Sequence, residues 1–300
     1  MTKTEFGRRS TADHVLAGID LTGKRMLVTG CNSGIGLEIM NAFAANGATV
    51  IGAARTLEDA SRACSAANPR CIPLGCDLAN FDSIAAALST IRGLKVPLDA
   101  VVANAGIANL AALDTRYGVE MQFLTNHIGH FKLVNGLVDL VRDGIGRVVI
   151  VSGNASVGAA PHEGIMFDNL DGARFYEPAA FYAQSKLANA LYAKELSRRL
   201  AARGIAVNAT DPGAARTKLN RRFATRLFAK TAAQAAATPA WLAASPQANG
   251  ITGEYCVNCK ISAGNALLQD AALAGHLWNV SQQILDRGQA RRDLSLQQAA

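Results

Sequence analysis

Residues 29–36 read Thr29-Gly30-Cys31-Asn32-Ser33-Gly34-Ile35-Gly36. They stand between a short apolar run, Lys24–Thr29, and a stretch of helical period, Gly34–Asn46. Glycine at this spacing lets the backbone turn tightly, approach a pyrophosphate and pack a helix against a strand. The N-terminus of the following helix offers N–H donors and the positive end of its dipole to phosphates. A glycine-spaced motif alone is a weak signal. Set between the first strand and first helix of a βαβ unit, it is a strong one.

Working outward, apolar runs alternate with helical stretches along the chain. Strands are expected at Lys24–Thr29, Thr49–Ala53, Cys71–Cys76, Ala100–Ala103, Arg147–Ser152, Ile205–Thr210 and Gly253–Val257. Most are continuously apolar, as parallel strands covered on both faces are. Helices are expected at Gly34–Asn46, Leu57–Ala67, Asp82–Ile91, Arg116–Val141 and Ala179–Arg203. Repeated βα units predict an α/β fold, a doubly wound parallel (Rossmann) sheet of about seven strands with helices on both faces. No repeat, linker or composition break divides the 300 residues, so 1–300 reads as a single domain.

Composition narrows the function class. Half the chain is apolar and 18% is charged, enough apolar material for a large core. The net charge is +7, but the basic residues are scattered and only 6% of residues are aromatic, which argues against a nucleic-acid binder. The first residues lack the apolar core of a signal peptide, and no stretch is long enough to span a membrane. Six cysteines in a chain of this size read as reduced thiols, hence a cytoplasmic protein. Cys256-Val-Asn-Cys259, a lone CxxC pair without a second pair or nearby histidine, reads as buried thiols, and no metal site is expected.

The end of the second strand, Ile51-Gly52-Ala53-Ala54-Arg55, has no acid for a ribose 2′-hydroxyl and one guanidinium suited to a 2′-phosphate. NADP is therefore expected over NAD. Further on, Tyr182 and Lys186 stand four residues apart on one helix, hence on one face. A nearby ammonium favours phenolate, which suits the tyrosine to general acid/base work.

With these motifs together, the chain resembles the short-chain dehydrogenase/reductase family, in its retinol-dehydrogenase-like branch. The resemblance covers roughly residues 10 to 260. It rests on TGCNSGIG (29–36), CDLAN (76–80), ANAG (103–106), TNHIGHF (125–131), the strand ending in VSG, YAQSK (182–186) and DPGAART (211–217). It implies that Gly30, Ser33, Gly34, Ile35 and Gly36 hold the pyrophosphate and that Arg55 meets the adenosine phosphate. Asp77 and Leu78 would border the adenine, with Asn104, Ala105 and Gly106 beside the cofactor. Tyr182 would exchange a proton with the reacting oxygen, and Lys186 would hold the nicotinamide ribose and depress the Tyr182 pKa. Asn126 would position water for a proton relay, and Pro212, Gly213 and Thr217 would flank the nicotinamide. His127 and His130 read as packing or helix-end groups.

Two departures stand out. The family's catalytic serine falls in register on Gly153, so Ser152 is the favoured donor, with Ser156 next and Asn154 also in reach. The connection to Tyr182 is long, with an insertion at 156–178 whose segment Pro161–Pro178 is expected to wall the substrate. Residues 214–245 are expected to form a mobile cover over it. Their charges, including Arg221, Arg222, Arg226 and Lys230, are not segregated from Leu219 and Phe223, which argues against a membrane-lying helix. The reading is an NADP-dependent oxidoreductase acting on a hydrophobic small-molecule ketone, aldehyde or alcohol. The alternative is a non-catalytic NADP-binding redox sensor or interaction protein. Family members pair through their two long helices, which leaves a homodimer or homotetramer open.

Overall fold

The computed structural model describes residues 5–67, 70–153, 164–217 and 229–299, with side chains up to residue 290. Its strands are β1 (Arg25–Thr29), β2 (Thr49–Ala54), β3 (Cys71–Gly75), β4 (Ala100–Ala103), β5 (Thr115–Arg116), β6 (Val119–Glu120), β7 (Arg147–Val151), β8 (Ala206–Asp211), β9 (Tyr255–Val257) and β10 (Lys260–Ser262). Eight of them form one sheet in the order β10-β9-β8-β7-β4-β1-β2-β3, while β5 and β6 make a separate hairpin. All pairings in the large sheet are parallel except β9 with β10. The seven expected strands are present, and β10 is an antiparallel addition at the edge. Strand order reverses between β1 and β4, and that reversal opens a crevice at the carboxyl ends of the strands.

Alternation along each strand divides the core in two. Met26 and Val28 of β1, Ala100 and Val102 of β4, and Val149 and Val151 of β7 pack against the helices Ala12–Leu16, Gly34–Ala45 and Ala237–Ala244. Leu27, Val101, Ala103, Val148 and Ile150 face the opposite core, with the helices Phe81–Gly93, Gly129–Asn135 and Pro178–Arg199. Successive side chains of a strand point to opposite faces, so a strand apolar throughout serves both layers. Asn80 caps the helix Phe81–Gly93 by accepting from the Asp82 and Ser83 amides. Glu177 and the Pro178 that follows start the long helix Pro178–Arg199.

The expected helix Arg116–Val141 is broken. Tyr117 and Gly118 both take positive φ, 58° and 73°, and close the β5–β6 hairpin as its two-residue turn. Helical structure begins at Met121, loosens to a π-helical turn over Leu124–Ile128 and resumes over Gly129–Asn135. The expected helix Ala179–Arg203 ends at Arg199; a 3-10 turn follows and Gly204, at φ 63°, reverses the chain.

Within the stretch 214–245 expected to cover the substrate, the helix Ala237–Ala244 packs into the core, with Trp241 1% exposed in one cluster with Ile39, Met40 and Phe43, while Ala235 is the buried residue of the short helix Ala232–Ala235. Alanines at most positions let these helices approach the sheet closely, which made them look like loose loop in sequence. The earlier part of the expected cover, including Leu219, Arg221, Arg222, Phe223 and Arg226, lies outside the described residues. The helix Ala271–Ala299 lies along the long helix Pro178–Arg199, with Trp278 against Phe131 and Tyr192 and the Arg199 guanidinium 3.9 Å above its ring. Among the described residues no helix is long and apolar enough to cross a membrane.

Candidate active site

A cavity of about 720 Å³ occupies the crevice at the strand ends. Its lining includes Gly30, Ser33, Gly34, Ile35, Arg55, Asp77, Leu78, Asn104, Ala105, Gly106, Ser152, Tyr182, Lys186, Pro212, Gly213 and Thr217. Sequence-predicted residues from seven separate segments of chain thus meet in one space. Gly36 and Asn126 stand behind the lining rather than in it.

The glycine loop is shaped by contact. Gly30 has φ 71°, and a Cβ on it would lie 2.9 Å from the Ala105 Cα. A Cβ on Gly36 would sit 2.2 Å from the Gly30 carbonyl oxygen and 2.5 Å from the Asn104 Nδ2. Only glycine lets the helix Gly34–Ala45 come this near the β1 end. Ser33 precedes that helix in extended conformation and its side chain makes no capping hydrogen bond, so the first-turn amides face the cavity uncapped by it. At the far end Arg55 is exposed and Ala54 is buried. Asp59 also reaches the cavity, and Arg62 engages its carboxylate at 3.1 Å.

The other half of the cavity is organised by buried side chains. Thr29 Oγ1 accepts from the backbone amides of Asn104 (2.9 Å) and Ala105 (3.0 Å) and lies 2.9 Å from His130 Nε2. The other ring nitrogen, Nδ1, is 2.9 Å from the Asn126 carbonyl oxygen. A carbonyl only accepts, so Nδ1 carries the proton and Nε2 accepts from the Thr29 hydroxyl. Complete burial holds His130 neutral, its pKa lowered to about 4. The Asn126 side chain accepts from the Ile107 amide (2.8 Å) and donates to the Ile107 carbonyl and to Ser185 Oγ, both at 2.9 Å. These three bonds hold the Gly106–Ile107 segment against the long helix. His127 meets Ser281 of the C-terminal helix at 2.8 Å, in keeping with a packing role.

Tyr182 is half-buried at the start of the long helix, and the Lys186 ammonium lies 5.7 Å from its ring centroid. Lys186 is 3% exposed and donates to the Val151 carbonyl at 3.3 Å, where β7 ends and that oxygen has left the ladder. Burial pushes the Lys186 pKa down to about 8, and the carboxylate of Asp211 opposes the shift.

Ser152 lines the same wall but its hydroxyl donates to the Lys186 carbonyl oxygen at 2.7 Å. A hydroxyl has one proton, and here the backbone holds it. Ser152, the expected donor to a substrate oxygen, thus stands at the cavity with its proton directed to the helix backbone. Asn154 and Ser156 lie outside the described residues, as does the insertion up to residue 163. The described remainder of the insertion packs on the hairpin, with the Glu120 amide donating to Leu170 O (2.7 Å) and Tyr176 OH to Leu110 O (2.7 Å).

Sequence reasoning passed over several residues that shape the site. Thr29 joins three segments; Gln122 accepts from the Asn109 amide at 2.6 Å and donates to Pro178 O at 3.1 Å. Asp211 lines the cavity beside Lys186. Only Thr29 and Asp211 stood inside quoted motifs, where their neighbours drew the attention.

Comparison with known proteins gives a consistent result. A family model described as short chain dehydrogenase matches residues 24–165. A probable oxidoreductase of Streptomyces lividans is 40% identical over 79% of this chain and 85% of its own. Human retinol dehydrogenase 14 is 33% identical over 87% of this chain and 85% of its own. A crystal structure of a protein from Mycobacterium Paratuberculosis superposes with a TM-score of 0.75 at 28% identity, covering 90% of this chain and 96% of that one.

Proposed function

The chain belongs to the short-chain dehydrogenases, in their retinol-dehydrogenase-like branch, and from that premise we propose that it moves a hydride between NADP(H) and a hydrophobic ketone, aldehyde or alcohol. The observation that carries this reading is a single cavity joining the glycine loop to Tyr182 and the buried Lys186. The residues present fit a dinucleotide: Gly30 and Gly34 present backbone rather than side chain to the cavity, the close contact at Gly36 seats the helix behind them, and Arg55 stands at the adenosine end. When bound, the nicotinamide supplies or takes up the hydride.

The protein's part is proton handling and position. The Tyr182 phenol gives a proton to the carbonyl oxygen in reduction and takes it back in oxidation. The Lys186 ammonium favours the phenolate and serves the nicotinamide ribose. Asn126 acts through position, as the side chain that ties Ile107 to Ser185. Ala105, Ile107, Ala179 and Ala214 supply the apolar wall that favours a hydrophobic substrate. Arg55 presents a planar fork to a 2′-phosphate where no acid competes from residue 54. We keep residues 1–300 as one working unit and the cytoplasm as its compartment, both on the composition of the chain.

Turnover of a ketone panel with NADPH and NADH, set beside cofactor binding, tests the reading. The expected result is turnover with a higher kcat/KM for NADPH, and loss of about tenfold of that preference in Arg55→Ala, as for one charge-assisted contact of about 1.4 kcal/mol. Equal use of NADH by the wild type would overturn the cofactor choice. One observation favours a second reading as a non-catalytic NADP-binding sensor or interaction protein: Gly153 has no hydroxyl and Ser152 has committed its own. Tight NADPH binding with no turnover across the panel would select that reading.

A further inference from the structure

The turn of the β5–β6 hairpin is held at a cost. Tyr117 has φ 58°, a backbone region that bulky side chains rarely occupy, and such residues persist where surrounding contacts fix them. The contacts here lead to one short segment, residues 77–81. The Tyr117 ring lies parallel to the Phe81 ring, with 4.0 Å between centroids and 4° between planes. Its hydroxyl oxygen accepts the Phe81 amide at 3.3 Å. The neighbouring Arg116 donates from Nη1 to the Ala79 carbonyl at 3.1 Å.

The same segment carries Asp77 and Leu78, which line the cavity. It is braced from other sides as well. The Asp77 amide donates to Ser83 Oγ at 2.9 Å, and Asp77 Oδ1 accepts the Ala79 amide at 3.0 Å. Behind Leu78, Gly129 packs so closely that a Cβ on it would lie 2.2 Å from the Leu78 carbonyl oxygen. The edge of the Phe81 ring abuts Gly288 of the C-terminal helix, where a Cβ would lie 2.5 Å from Phe81 Cε2. The hairpin itself is anchored elsewhere at its base, through the Glu120 amide on Leu170 O at 2.7 Å. A strut fixed at its base thus grips the segment at its tip.

We propose that Arg116 and Tyr117 are positioning residues that hold the adenine border of the cavity, so that the hairpin turn sets how tightly the adenosine half of the dinucleotide binds. The proposal rests on the NADP(H) reading of the cavity. Neither side chain lines the cavity itself, so both act through the backbone that presents Asp77 and Leu78. A wall already held in its bound form loses less freedom when the ligand arrives, and releasing the wall therefore lowers affinity.

The test is calorimetric binding of adenosine 2′,5′-bisphosphate, which carries the adenosine half without the nicotinamide, beside NADPH. The full chain is used, well below each variant's melting midpoint, so that lost stability does not enter the affinity. Tyr117→Ala is expected to weaken both ligands by the same factor, about tenfold, as for a lost aromatic stack and hydrogen bond. Tyr117→Phe keeps the ring and should recover most of that loss. Arg116→Met should weaken both about threefold, as for one hydrogen bond. A merely structural role predicts lower melting midpoints with unchanged affinities, and that result overturns the proposal. So does a loss confined to NADPH, or a Tyr117→Phe as weak as Tyr117→Ala. Should Tyr117→Ala fail to fold, Arg116→Met decides: weaker binding of both ligands supports, unchanged binding overturns. A wild type that binds neither ligand defeats the NADP(H) reading itself. A wild type that binds both, with unchanged variants, defeats only the hairpin's part in it.

Discussion

The two ends of the cavity are built on different principles. At the glycine-loop end the constraints are steric and local: Gly30 and Gly36 stand within six residues of each other, and a Cβ on either would strike backbone. At the Tyr182 end the constraints are buried hydrogen bonds between distant segments. Thr29 reaches His130, 101 residues on, and Asn126 reaches Ser185, 59 residues on. The first end can be damaged by adding one carbon. The second is damaged by removing a proton donor or by adding a proton, and each kind of damage has its own signature.

The largest effect is expected at the reacting oxygen. Tyr182→Phe should lower turnover by ~10²–10⁴-fold, the usual contribution of a placed proton-transfer group, while NADPH still binds at the other end. Steady-state kinetics beside a fluorescence titration of NADPH makes the check. A variant that keeps most of the wild-type rate removes Tyr182 from the mechanism; one that loses NADPH binding as well would show that the two ends are not separable.

Next comes acid. His130 is held neutral with a pKa lowered from 6.5 to about 4, so the unfolded chain binds its proton first as pH falls. The associated stability is full above pH 6.5 and is lost as pH drops through about 4, a difference of about 3 kcal/mol. Urea unfolding at pH 7 and pH 4 should show a steeper acid loss in wild type than in His130→Gln. Equal losses would mean that the Thr29–His130–Asn126 chain does not hold the ring as the structure has it.

At the steric end, Gly36→Ala should cost about 2 kcal/mol of stability, in the range of forced overpacking, and weaken NADPH binding in proportion. Neither the Gly30 carbonyl nor the Asn104 side chain can yield without losing the bond from Asn104 to the Thr29 carbonyl, 2.9 Å long. Thermal melts and cofactor titration would show it; a variant as stable as wild type would mean the loop has slack that the contacts do not suggest.

What the sequence disclosed follows the same division. The glycine loop, the β-branched runs and the Tyr182–Lys186 face are all local patterns, and the structure has them where periodicity and spacing put them. The helix expected over 116–141 failed because the helical pattern runs through Tyr117–Gly118, and the positive φ of both residues is a tertiary outcome. The alanines of 232–244 carry no amphipathic signal, so their burial against Ile39 and Phe43 was hidden. Thr29 with His130, and Asn126 with Ser185, are partners only once the sheet has assembled. No spacing rule connects residues so far apart.

The smallest effect is expected at Ser152, whose hydroxyl the structure engages with the backbone. Ser152 looked like a donor because it ends an apolar strand beside the position where the family carries its serine. Strand alternation instead aims its hydroxyl at the Lys186 carbonyl, 2.7 Å away, while its own amide is held by Thr210 O at 2.8 Å. A lost oxyanion donor typically costs ~10²–10³-fold in kcat. A lost strut between a strand end and a helix carbonyl costs about 1 kcal/mol of stability, the net worth of one buried hydrogen bond. Ser152→Ala should therefore melt slightly earlier and keep kcat within about tenfold of wild type, a loss of at most about 1.4 kcal/mol in barrier. Gly153→Ser is the companion, since it places a hydroxyl one residue on, where alternation faces it to the cavity. A gain in kcat from Gly153→Ser, with little change from Ser152→Ala, would mark residue 153 as the position where a second donor counts. A hundredfold fall in Ser152→Ala would return the donor role to Ser152 and show that its hydroxyl leaves the Lys186 carbonyl when substrate binds.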